Sequence, residues 1–239
     1  MFCKMANFEL QTRVPMMIRA PWLSTAAVGS TTAMVELVDM FPTAVELTGL
    51  STRVNVSLQG DLGLEGLSLA PLLHDSTLHE SRPAAWKQAA FMQYPRCMNS
   101  TAALSTPPFL ATGDPCISVP ANQITHMGYS MRTAEWRYAE WPAWKCHGID
   151  GDVNACADMA TGGPSGSPTY SWSGSVDWSD NRGVELYSHA GDVGDCFDCY
   201  ENENLAYMDE YVSLVKQLSS QLRAGWRDAV PELIGRVVE

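Results

Sequence analysis

Lys4 stands in the run Met1-Phe2-Cys3-Lys4-Met5-Ala6-Asn7-Phe8-Glu9-Leu10-Gln11-Thr12-Arg13-Val14-Pro15-Met16-Met17-Ile18. An ammonium ahead of an apolar stretch can bring one positive charge and three donors to an anion. Taken alone, it is equally well a surface lysine. The run reads as the middle of an enzyme rather than its beginning. The expectation is therefore that the sequence starts partway through an active site and carries the later part of a larger protein.

Other residues could also do chemistry. Arg132 and Arg137 interleave with aromatic residues in what reads as a hairpin. Their plain role is to pair with Glu135, Glu140 or a distant carboxylate. A rim for an anionic substrate is the alternative, since guanidinium forks suit sulfate and carboxylate. His126 lies near the same strand, either as a satisfied histidine or as a substrate contact. Asp150, Asp152, Asn154 and Asp158 alternate like a calcium loop, but Ala155 stands where the turn glycine belongs and Thr161 where a bidentate Glu should close the cage. The tract reads as a solvated acidic loop.

Seven cysteines and two Asn-x-Ser/Thr sequons, at Asn55 and Asn99, lean towards an oxidising, glycosylating compartment. Cys97 and Cys116 bracket one loop, and Cys146 and Cys156 another. Closing each by a disulfide would stabilise by roughly 3 kcal/mol on a chain-entropy estimate. Cys196-Phe197-Asp198-Cys199 is a Cys-x-x-Cys without the βαβ context of a redox motif. A local or cross-loop disulfide fits it better than zinc. Cys3 is left over, buried and free.

The elements that must position these groups read as follows. Met16 to Ala20 is a short buried strand entered by Pro15. A helix begins near Thr32 and puts Val35, Val38 and Phe41 on one face; Pro42 opens a second helical piece, stopped at Gly49. Ala89 to Tyr94, Met127 to Thr133, Trp136 to Trp141 and Val184 to Tyr187 are strands. Residues 97–125 and 145–183 read as long irregular loops. From about Leu205 the spacing of Tyr211, Leu214, Val215, Leu218, Leu222 and Trp226 predicts a closing helix. Aromatic residues of the strands pack as core, with stacking on sugar rings as the alternative. The class is α/β, with residues 1–85 as the end of a large α/β domain and 86–239 as an antiparallel subdomain with long loops and a final helix.

At 239 residues and a net charge of −12, the chain can bury a core. Its acidity argues against nucleic-acid phosphates, for no basic stripe offers counterion release. No run of about 18 apolar residues suggests a membrane span.

The order of certain segments resembles the sulfatase family, in its iduronate-2-sulfatase-like branch. They are Cys3-Lys4, Asn7-Phe8, Arg13-Val14-Pro15, the run from Glu36 to Thr43, Gln93-Tyr94-Pro95-Arg96, the run from Met127 to Thr133, Arg137-Tyr138, Glu185-Leu186-Tyr187 and Glu203-Asn204-Leu205-Ala206. They span almost the whole chain outside the loops near 98–125 and 145–183. The resemblance implies the C-terminal portion of an alkaline-phosphatase-like fold, ending in a small antiparallel sheet and a C-terminal helix. It implies hydrolysis of sulfate esters on sugars, including glycosaminoglycan-type substrates, with Lys4 matching a family lysine that contacts the sulfate. Formylglycine, made from the Cys of a Cys-x-Pro-Ser-Arg motif, and a calcium ion are expected outside this sequence, because no cysteine here is followed by x-Pro-Ser-Arg. Lysosomal or extracellular residence goes with the family. Alternatives are a secreted, non-catalytic carbohydrate-binding or structural module derived from a sulfatase, and a fragment of a related phosphodiesterase. Arg132 and His126 are the substrate-binding candidates, and the chain alone is expected to be inactive.

Overall fold

The computed structural model describes residues 6–23, 29–50, 65–96, 124–148, 172–194, 196 and 199–229. Lys4, Cys3, Asn55, Cys97, Asn99, Cys116, the acidic tract 150–158 and Cys156 lie outside them. The chain divides into two compact units that interleave in sequence. One comprises Met1–Arg13, Met92–Ser130 and Arg137–Lys216; the other comprises Val14–Phe91, Met131–Trp136 and Gln217–Glu239.

The first unit is built on a four-stranded antiparallel sheet in the order β1-β2-β3-β4. The strands are β1 Ala90–Arg96, β2 His126–Arg132, β3 Trp136–Gly148 and β4 Trp172–Ser188. Strand periodicity sets two faces. Met127 and Tyr129 of β2 share a cluster with Trp144 and Cys146 of β3, together with Ile124 and Val176. His126, Gly128 and Ser130 point the other way, with Trp141 across from Gly128. Glu140 is fully buried and accepts from the Tyr138 hydroxyl (3.0 Å) and the Asn181 amide (2.7 Å).

The ends of the tract 145–183 are strand rather than loop. Aromatic packing explains why a Gly/Ser-rich stretch pairs so well. A Cβ on Gly174 would come within 2.2 Å of the Trp144 ring, and one on Gly128 within 2.5 Å of Trp141. These glycines give up side chains so that indoles can lie flat on the strand. β1 also runs through Pro95 to Arg96, beyond the expected stop.

In the second unit α2 (Met40–Leu47) packs on α3 (Ala70–His74), with α4 (Leu78–Ser81) following. Leu69, Leu72 and Trp86 form the core, flanked by Ile18, Ala33, Val35 and Leu78. Residues 30–36 are extended where a helix was expected, and the helical chain begins with a 3-10 turn at Leu37–Asp39. Gly49, at φ +70°, ends the helical stretch as its type predicts. Residues 13–20 adopt no regular secondary structure, so the strand expected over Met16 to Ala20 does not form. The closing helix is α5 (Val212–Ala224), of which the part from Gln217 belongs to this unit; Leu218 and Leu222 are buried one turn apart. It is shorter than the span from Leu205 to Trp226 that the spacing predicts, because Gly225 at φ +89° breaks it before Trp226.

One buried ion cluster organises this unit. Asp39 is fully buried and accepts from the Leu67 N–H (2.8 Å), the Glu36 N–H (2.7 Å) and Lys87 Nζ (2.6 Å). Lys87 also reaches Glu36 Oε2 at 2.8 Å, and Glu36 Oε1 accepts the Phe91 N–H at 2.7 Å. Removing the lysine would strand a desolvated carboxylate. Lys87→Met is expected to lower stability by about 3–5 kcal/mol, and adding Asp39→Asn, which removes the charge and keeps an acceptor for the Leu67 N–H, to recover part of it. Urea midpoints of the three proteins measure this.

Candidate functional site

The segment that follows Lys4 is held by one guanidinium. α1 (Glu9–Thr12) is a single turn, too short to stand by nucleation alone. Arg137 of β3, 3% exposed, fixes it. Its Nη2 donates to Glu9 Oε2 at 2.7 Å and to Thr12 Oγ1 at 3.2 Å. Its Nη1 donates to the Asn7 carbonyl and its Nε to Glu201. Glu201 in turn accepts the Glu9 N–H at 2.6 Å. The Asn7 amide donates to the Gly128 carbonyl at 3.1 Å, and the Phe8 ring meets Tyr187 at 5.6 Å. Residues 7–12 are therefore pinned to the sheet by backbone, charge and ring contacts at once.

His189 completes the cluster. Nδ1 lies 3.0 Å from Asp192 Oδ2, and Nε2 lies 3.2 Å from Glu201 Oε1. Tyr200 stacks on its ring at 5.6 Å and donates its hydroxyl to the Gly191 carbonyl. A disulfide joins Cys196 to Cys199 just ahead of Tyr200 and Glu201, which realises the local pairing. Cys146 is also disulfide-bonded, with its partner outside the described residues.

Along the same sheet face lie several partly desolvated polar groups. Trp141 Nε1 donates to Glu185 at 3.0 Å, and burial pushes the Glu185 carboxyl above the ordinary range. Burial, with Glu185 nearby, raises the Tyr187 phenol. Arg96 sits over the rings of Tyr94 and Trp141, and burial lowers its pKa. His126 is buried; its Nδ1 lies 2.9 Å from Thr125 Oγ1, and among the described residues its Nε2 has no partner. Burial lowers its pKa, Arg182 adds to that, and Asp180 opposes it. A neutral imidazole can offer or accept a hydrogen bond there.

Arg132 sits elsewhere, in the hairpin turn of the second unit. Its guanidinium donates to the carbonyls of Thr133 and, at 3.1 Å, Ala134. The sequence reading singled out Arg132 and His126 for substrate. It gave Arg137 to Glu135, Glu140 or a distant carboxylate, or to a substrate rim, and passed over Glu9, His189 and Glu201; the partners are the distant Glu9 and Glu201, while Glu140 accepts from Tyr138 and Asn181. No local spacing could have found that set: Glu9 and Glu201 lie 128 and 64 residues from Arg137.

Among the described residues, Glu9, His189 and Glu201 can offer ligand atoms to one ion, all within 4.8 Å of one another. They do not suit calcium. That ion takes six to eight oxygens, and Arg137 already holds an oxygen of each glutamate.

With that geometry in view, the comparison with known proteins is informative. The chain is a sequence relative of the sulfatases. It is 30% identical over 138 residues to arylsulfatase K of Danio rerio and 28% identical over 171 residues to iduronate 2-sulfatase of Mus musculus. These alignments take in 57% and 59% of this chain, but the chain covers only 19% and 29% of those proteins. No protein-family model matches it.

Two outcomes test the site. Arg137→Met removes the guanidinium that bridges two largely buried carboxylates and should cost about 3–5 kcal/mol. Arg137→Lys, which keeps the charge and loses the fork, should fall between. Urea midpoints and faster amide exchange over residues 6–13 report both. His126 gives a pH test. Its folded-state pKa is depressed, so its contribution is whole above the unfolded value of about 6.5 and is lost as pH falls below it. The stability difference between the native protein and His126→Gln should be flat above that pH and change progressively on acidification.

Proposed function

We propose that the chain is the C-terminal segment of an iduronate-2-sulfatase-like enzyme that hydrolyses sulfate esters of carbohydrate. The observation that carries this is its sequence relationship to two sulfatases. Cleaving a sulfate ester needs an activated nucleophile, positive charge at the sulfuryl oxygens and an acid for the leaving group. Of these the chain brings charge, through Lys4. The nucleophile, as formylglycine, and calcium come from polypeptide outside this sequence, so the chain alone is inactive.

The role of the Arg137 cluster in this reading is positional. Residues 7–12, which follow Lys4 in the sequence, are held rigidly to the sheet. His126 offers a neutral hydrogen bond to a sugar, whereas Arg132 is taken up by the carbonyls of its own turn, which leaves the substrate-rim role expected of it without structural support. The Cys196–Cys199 disulfide supports a lysosomal or extracellular setting, with Asn55 and Asn99 as glycan sites.

The test uses purified chain, an aryl sulfate and a sulfated disaccharide with its unsulfated analogue. No turnover above the blank is expected. Binding should prefer the sulfated sugar, and Lys4→Ala should weaken it about tenfold or more. Turnover that disappears in Lys4→Ala would overturn the assignment of an incomplete site. Equal affinity for both sugars would favour a non-catalytic module.

A further inference from the structure

Shortly ahead of Glu201 the chain carries a covalent bond that can be opened. The Cys196–Cys199 disulfide joins cysteines with a sequence separation of 3. So short a loop removes little chain entropy from the unfolded state, and the bond adds correspondingly little to global stability. Cys199 is exposed, whereas Cys196 is half-buried. Cys199 also lines an open cavity of about 330 Å³, beside Ser188, Tyr200, Asn202 and Glu203. A thiol can therefore approach its sulfur from solvent, and exposed disulfides are the labile ones.

The bond sits at the head of the turn that delivers Glu201. The Asn202 amide donates to the Cys199 carbonyl at 3.1 Å, and Tyr200 stacks on His189. Among the described residues, the backbone–backbone bonds that bracket this turn run from the Asp192 N–H to the His189 carbonyl (3.0 Å) and from the Leu205 N–H to the Leu186 carbonyl (2.8 Å). Between them, side chains and the disulfide do the holding. Glu201 then meets three groups at once: Arg137 Nε, the Glu9 N–H at 2.6 Å and His189 Nε2 at 3.2 Å. A displacement of the turn is therefore felt at residues 7–12.

We propose that this disulfide is a redox switch on the hold of Glu201 over Arg137 and the Glu9 backbone, opened by a dithiol. The proposal stands apart from the sulfatase reading and does not need it. One thiolate of the dithiol attacks Cys199 Sγ, the S–S bond breaks, and Cys196 leaves as a thiolate that takes up a proton. The second thiol displaces Cys199 from the mixed disulfide, and the reductant ends as its own disulfide. Two electrons and two protons have passed to the cysteines. Reduction frees the turn, Glu201 loses its fixed place, and residues 7–12 loosen while the sheet stays.

The experiment takes the full chain, oxidised and after dithiothreitol under native conditions, with alkylation mapping to show that Cys196 and Cys199 are open. Amide exchange over 6–13 should quicken at least about tenfold on reduction and return on reoxidation, with β2 and β3 unchanged. Cys196→Ser combined with Cys199→Ser, which leaves the Cys146 disulfide intact, should reproduce the reduced state. In Glu201→Ala the further effect of reduction should fall below about twofold, because the coupling runs through that carboxylate. Exchange over 6–13 that is unmoved with both cysteines open overturns the proposal. So does a bond that resists the dithiol until urea unfolds the chain, an equal quickening across the sheet, or an undiminished effect of reduction in Glu201→Ala.

Discussion

Arg137 is the interaction on which the first unit depends. A buried guanidinium is costly to desolvate and is tolerable only when its donors are met. Here Glu9, Glu201, Thr12 and the Asn7 carbonyl meet them. The gain is specificity of placement. The planar fork allows one arrangement of those partners, so the chain before β1, the strand β3 and the loop after β4 are locked in register. A pair of apolar residues would hold them together but would not fix their rotation.

The second unit solves the same problem with a different cation. Lys87 is a point charge rather than a fork, and it bridges two carboxylates that also take backbone N–H groups. Asp39 and Glu36 thereby tie a 3-10 turn, the strand entry at Phe91 and the segment at Leu67 into one node. In both units the backbone near the site is irregular and the helices are short. Such backbone has few ladder bonds of its own, and charged side chains stand in for them.

This construction bears on function. In the sulfatase reading proposed for this chain, the Arg137 cluster would position a segment while the chemistry resides on other residues. The groups fixed most firmly here are those that orient a segment. The group expected to meet sulfate, Lys4, belongs to the run just ahead of that segment.

The sequence by itself determined the element types wherever periodicity was strong: the strands near 90, 127, 136 and 184, the existence of a closing helix though not its ends, and the turn glycine at 49. It also carried the relationship to sulfatases, since that is held in ordered short motifs. Tertiary structure alone decided three things. The ends of tract 145–183 became strand, because indole packing on Gly128 and Gly174 outweighed a loop-like composition. Residues 14–20 formed no strand, because a strand needs a neighbouring strand to bond to and, among the described residues, none lies alongside them. Glu9, His189 and Glu201 gathered on Arg137, because charge pairing acts through space and leaves no period along the chain.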